Sequence, residues 1–199
     1  MLKCLVTTIS LLCATASTAA VTYDDTTKNM TITGATTNKQ ATQVYHLMKE
    51  HDVLTVTISG TGGEYYAGLR LGRLISAEGS TVIIPAGKRA ISAAAFAALG
   101  ADKIIVDGEL WFHVPFLTHV PTGVTILEIT QRFGRAYVDM DRYLIRMGIP
   151  VSFGHDLMVR TTTSKFVVID DGAQIDLIRA TEVLWGQAVY EWRYAEKGE

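Results

Sequence analysis

At 199 residues, 48% hydrophobic and 19% charged, the chain has the length and composition of one globular domain with a single large core. A formal net charge of -2 and the lack of any basic run argue against nucleic acid as its main partner, because that affinity comes from clustered Lys and Arg.

The first twenty residues read as a secretory signal, with Lys3 as the positive n-region, "CLVTTISLLCA" as a short apolar h-region and "TASTAA" as the small-residue cleavage site. Cleavage is expected after Ala19 or Ala20. The apolar run is too short to span a bilayer, and no later stretch is long and charge-free enough to do so. Both cysteines, Cys4 and Cys13, fall inside this segment. The mature chain, residues 21–199, is therefore expected to be an exported, soluble, thiol-free single domain without disulfides, a Cys nucleophile or Cys-bound metal.

"VTYDDTTKNMTITGAT" alternates apolar and polar residues around a polar centre, which predicts a hairpin. Thr37 and Gln40 form a capping-box pair opening a helix that ends near His51. "VLTVTI" predicts a buried strand running into a Gly60-Thr61-Gly62-Gly63 loop, and a helix follows from about Tyr65 to Ala77. "STVIIP" is a strand stopped by Pro85. "SAAAFAALG" predicts a helix from Ser92 to Leu99 with Gly100 as its C-cap. "DKIIV" and "ELWFHV" read as strands, and "VTILEITQRFGRAYVDMDRYLIRMG" as a long helix or helix pair. A second helical stretch is expected after "PVSFGHD", then a strand "KFVVI", a helical turn "DDGAQIDLI" and a terminal strand or hairpin "EVLWGQAVYEWRY". Strand–helix alternation through the middle predicts an α/β fold, a mostly parallel sheet covered by helices.

The glycine loop matches neither phosphate-binding template. A dinucleotide fingerprint started at Gly60 would need glycine where Tyr65 stands, and no Lys-Ser or Lys-Thr follows for a P-loop. A tight strand-to-helix turn explains the glycines structurally. The chemical reading needs two residues further on. Ser92 opens a buried helix with its hydroxyl near the positive end, and His113 ends a later strand and could take the hydroxyl proton. The backbone N–H groups of Gly62 or Gly63 and of Ala93 could bind a tetrahedral oxyanion. Taken singly, Ser92 reads more readily as an N-cap and His113 as a satisfied core residue.

Three motifs in order resemble the proteolytic subunit of the Clp protease and the wider Clp-protease/crotonase superfamily, which includes signal peptide peptidase A. "ISGTGGEYYAG" is similar to that family's strand and "PGG" loop, with Thr61 in place of the proline. "ISAAAFAALGADKIIV" resembles the nucleophile segment, with Ser92 at the serine and Ala101-Asp102 at an "AAD" motif. "LWFHVPF" resembles the "IHQP" motif, with His113 at the histidine. The resemblance runs from about Thr31 to Ile178. It implies a ClpP/crotonase-like fold of stacked β-β-α units, a serine peptidase site at Ser92 and His113, no cofactor, and assembly into homo-oligomers. The family's triad aspartate aligns with Ser164, in "TSKFVVIDDGAQIDLI". The orienting group is therefore Ser164, one of Asp170, Asp171 and Asp156, or absent. No lysine stands where signal peptide peptidase A has its base.

The other histidines suggest no metal: His46 and His51 lie on different faces of one helix, His119 follows "VPFLT", and His155 lies beside Asp156 in a loop. Asp139 and Asp141 alternate on a helix and are expected to pair with Arg135, Arg142 or Arg146. The expected function is an exported serine peptidase or related hydrolase acting on peptide or protein, with a Ser-His dyad or an incomplete triad. A non-catalytic protein of the same fold that binds peptide or assembles is the competing class. Crotonase-like acyl-thioester chemistry is a third, but it has no need of Ser92, and export removes it from coenzyme A.

Overall fold

The computed structural model describes residues 19–116, 122–180 and 193–196. It opens with the expected hairpin, β1 (Ala20–Asp24) antiparallel to β2 (Asn29–Thr36). Asp24 Oδ1 fixes the turn by accepting from the Thr26 N–H at 2.9 Å. Helix α1 (Asn38–Glu50) is capped by Thr37, whose hydroxyl accepts from the Gln40 N–H. The capping box is only half made. The Gln40 amide turns away to donate to the carbonyls of Thr33 and Ala20, tying α1 to the hairpin instead.

Strand β3 (Thr55–Gly63) is the centre of the molecule, and the four residues expected as a loop are its last part. It pairs in parallel with β2 from Thr55 to Ser59 and, after a register shift, again at Gly62 and Gly63, with Thr36 beside Gly63. On its other side it forks. Its first residues, Thr55–Thr57, pair with β4 (Thr81–Ile84), and Gly60 pairs with β5 (Arg89–Ile91). The fork is then propagated: β6 (Ile104–Val106) pairs with β4, and β7 (Glu109–Phe112) with β5, all in parallel. Each successive strand pair thus adds one strand to each branch. The second branch ends antiparallel, in β8 (Lys165–Ile169) against β7 and β9 (Arg193–Glu196) against β8. The result is a mixed α/β architecture with a mostly parallel nine-stranded sheet.

Helix α2 (Tyr65–Glu78) and the short α3 (Ala93–Ala98) cover the fork, and the composition of α3 explains its place there. Its six residues are all buried, and five are alanines. Small side chains let backbones meet: a Cβ added at Gly68 of α2 would lie 2.3 Å from the Ala93 carbonyl oxygen. Tyr143 runs past Gly72 of α2 and donates its phenol hydrogen to the Phe96 carbonyl at 2.6 Å, holding α3 from behind. Tyr143 belongs to α4 (Ile126–Arg146), a single continuous helix opened by a full Thr125–Glu128 capping box. Helix α5 runs from Val151 to Arg160, so "PVSFGHD" lies inside the helix rather than before it. His155 is accordingly helical, with Nε2 3.8 Å from Asp141 of α4. Asp139 pairs with Arg142 as expected, whereas Asp141 does not follow it. Helix α6 (Gly172–Ala180) closes the described fold. No helix among the described residues is long and apolar enough to cross a membrane. His119, the signal segment up to residue 18 and most of the terminal aromatic stretch lie outside the described residues.

Candidate functional site

Ser92 leaves β5 and His113 leaves β7, two neighbouring parallel strands in which Ile91 stands beside Trp111. The pairing continues one step further, with the Ser92 N–H donating to the Trp111 carbonyl at 2.8 Å. Residues twenty-one apart in sequence therefore emerge at the same end of the sheet. Both line a mainly apolar cleft of about 600 Å³, together with Thr61, Gly62, Gly63, Tyr65, Phe116 and Phe166 among others.

The backbone at Ser92 is unusual, with φ 55° and ψ -120°. Among the described non-glycine residues only Lys28, in the β1–β2 turn, shares a positive φ. Such a conformation costs a residue bearing a Cβ about 1–3 kcal/mol, and it survives only where the surroundings enforce it. Here β5 fixes the backbone before Ser92, and α3 fixes it after. The serine is not in this position to cap the helix, since its side chain makes no cap hydrogen bond. What the turn does is lift the side chain out of the strand-to-helix junction, half-buried at the cleft.

Gly62 presses against this turn. A Cβ there would lie 2.6 Å from the Ile91 carbonyl oxygen and 2.7 Å from Ser92 Cβ, so only glycine allows the approach, and φ is +78° besides. Gly63 is confined similarly, with its Cβ position 2.4 Å from the Thr36 carbonyl oxygen. Ala93, the first residue of α3, has no intrahelical acceptor for its N–H. The end of β3 and the start of α3 thus bring backbone amides beside Ser92.

His113 is 5% exposed, held between Phe116 and Phe166 with ring centroids 5.0 Å from each. Burial pushes its pKa below the ordinary value of 6.5, against an upward pull from its hydrogen bond to the Val114 carbonyl. It is therefore neutral at pH 7. Nδ1 lies 2.6 Å from that carbonyl oxygen. A carbonyl can only accept, so Nδ1 carries the hydrogen and Nε2 keeps its lone pair. Ser92 and His113 share the cleft, and no hydrogen bond joins Ser92 Oγ to the imidazole among the described residues.

None of the four candidate orienting residues bonds to His113. Ser164 is exposed, and its hydroxyl lies 3.3 Å from that of Thr162, in the turn before β8. Asp170 pairs with Arg193, and Asp171 accepts from the Ala173 N–H at the start of α6. Asp156 faces Arg160 along α5. The Val114 carbonyl occupies the position they were expected to fill. Sequence reading missed it because a backbone acceptor has no side-chain signature.

No protein-family model matches the chain, and no curated protein matches it. Among solved structures, the chain is similar to the 1510-N membrane-bound stomatin-specific protease, with a TM-score of 0.50 and 16% identity over 75% of this chain and 74% of that one. At that identity the likeness is one of fold, and it places the architecture among folds that carry proteases.

Proposed function

We propose that the protein is a serine hydrolase, a peptidase in its native role, in which Ser92 is the nucleophile and His113 the general base. The observation that carries this reading is the forced backbone at Ser92. A serine held at φ 55° without a capping bond has no structural reason to be there, and strain of this kind clusters where a side chain must be presented. The neutral His113, with a free Nε2 in the same cleft, supplies the second part.

In the mechanism, Ser92 Oγ attacks the substrate carbonyl carbon while His113 Nε2 takes the hydroxyl proton. The C–O bond forms and the carbonyl π electrons move to oxygen. The N–H of Ala93, with that of Gly62 or Gly63, binds the resulting oxyanion. Collapse expels the amine or alcohol, which receives the proton from Nε2. Water then attacks the acyl-serine, giving its proton to the same nitrogen, and as the adduct collapses the C–Oγ bond breaks, Nε2 returns that proton to Ser92 Oγ and the acid departs. The chemistry calls for no cofactor. The mostly apolar cleft wall suits peptide side chains.

A fluorophosphonate probe tests the reading. Labelling should map to Ser92, vanish in Ser92→Ala and fall steeply in His113→Gln, whose side chain cannot take the proton. The lack of a carboxylate on His113 among the described residues favours a second reading, a peptide-binding or assembly protein without turnover. Absence of labelling in folded protein, with peptide binding retained, would establish that reading instead.

A further inference from the structure

His113 is oriented by its own neighbour, and that neighbour is itself held by a residue far along the chain. β7 ends at Phe112, so the Val114 N–H has no strand to pair with. It donates instead to Thr161 Oγ1 at 3.1 Å. The Thr161 hydroxyl in turn donates to the Leu157 carbonyl at 2.7 Å. Thr161 is 6% exposed and stands at the C-terminal cap of α5. A threonine there ordinarily bonds back to the carbonyl four residues earlier and does nothing more. This one also accepts from across the fold, 47 positions away.

We infer that Thr161 is a positioning residue for His113, acting through the Val114 backbone; this rests on His113 being the base. Two constraints meet at Val114. Thr161 pins its N–H, and Pro115 restricts its ψ to the extended range. With both set, the Val114 carbonyl has one direction to point, toward Nδ1 of His113. The neutral carbonyl selects the Nδ1–H tautomer and holds Nε2 facing the cleft. It performs the orienting half of a triad carboxylate's work and leaves out the charge-balancing half. Among the described residues the rings packed on His113 are Phe116 and Phe166, and the Val114 carbonyl is its hydrogen-bond partner; Arg89, Ser92 and Thr163 line the same cleft.

Thr161→Val keeps the shape and removes the hydroxyl. Histidine ¹⁵N NMR reads the tautomer directly, whether or not the protein turns over, and so separates this inference from the hydrolase reading. Wild type should show His113 as the Nδ1–H form. Thr161→Val should show a mixture of tautomers, and Thr161→Ser should restore the single form. In ester hydrolysis, with active sites counted by probe labelling, Thr161→Val should lower kcat by about ten- to a hundredfold. KM should stay within about twofold, since Thr161 does not line the cleft. The acid limb of kcat/KM should move to lower pH, because the lost Nδ1 bond was raising the His113 pKa. If Thr161→Val does not fold, Pro115→Ala loosens the same peptide from the other side and should also mix the tautomers. A pure Nδ1–H signal in both folded variants, with kcat and the acid limb unchanged, would overturn the inference and leave Thr161 as a helix cap.

Discussion

A φ of 55° suits glycine far better than serine, so the residue at position 92 sets stability against chemistry. Ser92→Gly should raise stability by about 1 kcal/mol, a gain of about 2–4 °C in Tm at this size, and should abolish probe labelling. Ser92→Ala should abolish labelling with little change in Tm, because a Cβ remains. Calorimetry on the pair separates backbone relief from loss of the hydroxyl; a Ser92→Gly protein less stable than wild type would mean the turn is not strained. His113 gives the second expectation at this scale. Only neutral imidazole accepts the serine proton, and burial holds the His113 pKa below 6.5. Labelling rate should therefore climb from acid pH with a midpoint below that value and level off above it. A midpoint above 6.5 would point to a different base or to a counter-charge near the ring.

Among the elements, α3 is the one the site depends on, and Tyr143 is its anchor. Tyr143→Phe removes the hydrogen bond to the Phe96 carbonyl. The cost should be only about 1 kcal/mol, because the Leu99 N–H still donates to the same oxygen. Tyr143→Ala should cost about 3–5 kcal/mol, leaving a cavity between α2 and α3. Denaturant midpoints of the two variants check this order. Elements with a strong period were readable from sequence: the hairpin, α1, α2 and the Ala-rich helix. β5 was not, because "RAI" is three residues long and carries no pattern of its own. The forking of β3 was not either, since β-branched residues say that a strand is buried but not which neighbours bury it. The "TILE" box at Thr125 carries a legible helix-start signal, whereas Thr37 and Gln40 complete only half a box, because the buried glutamine finds better acceptors in the hairpin. Ser92, His113 and the glycines, the groups of the proposed site, could be named from sequence because hydrolase chemistry restricts residue types. Thr161, one of three consecutive threonines, looks like its neighbours until the fold selects it.

For the whole molecule, the proposed signal cleavage falls just before β1, where Val21 is 8% exposed and pairs with Ile32. A cut after Ala19 leaves the hairpin whole, and one after Ala20 removes only its terminal pair, Ala20 with Thr33. Mass spectrometry of exported protein should find Ala20 or Val21 at the N-terminus; full-length chain retained in the cytosol would refute export. The exposed apolar residues on α4, Ile126 and Leu127 above all, give the self-association proposed from the family resemblance a surface on which to act. Sedimentation of the mature chain, with Leu127→Glu as the comparison, tests it.

The order in which the sheet is laid down has a kinetic consequence. β3, β4, β5, β6 and β7 each pair with a strand made shortly before or after them, so this part can assemble as it emerges, the Ser92 turn and the Gly62–Gly63 pair included. β8 must return to β7 across α4 and α5, Val167 to Phe112, and Thr161 arrives with it. Closing so long a loop is the slow step for such a topology. The nucleophile should thus be in place before its base is locked, and competence should come with the final closure. In refolding, recovery of fluorophosphonate reactivity at Ser92 should lag behind recovery of helical circular dichroism. A chain crossing a membrane unfolded would then pass through as an inert polypeptide and switch on only after its last contact forms outside.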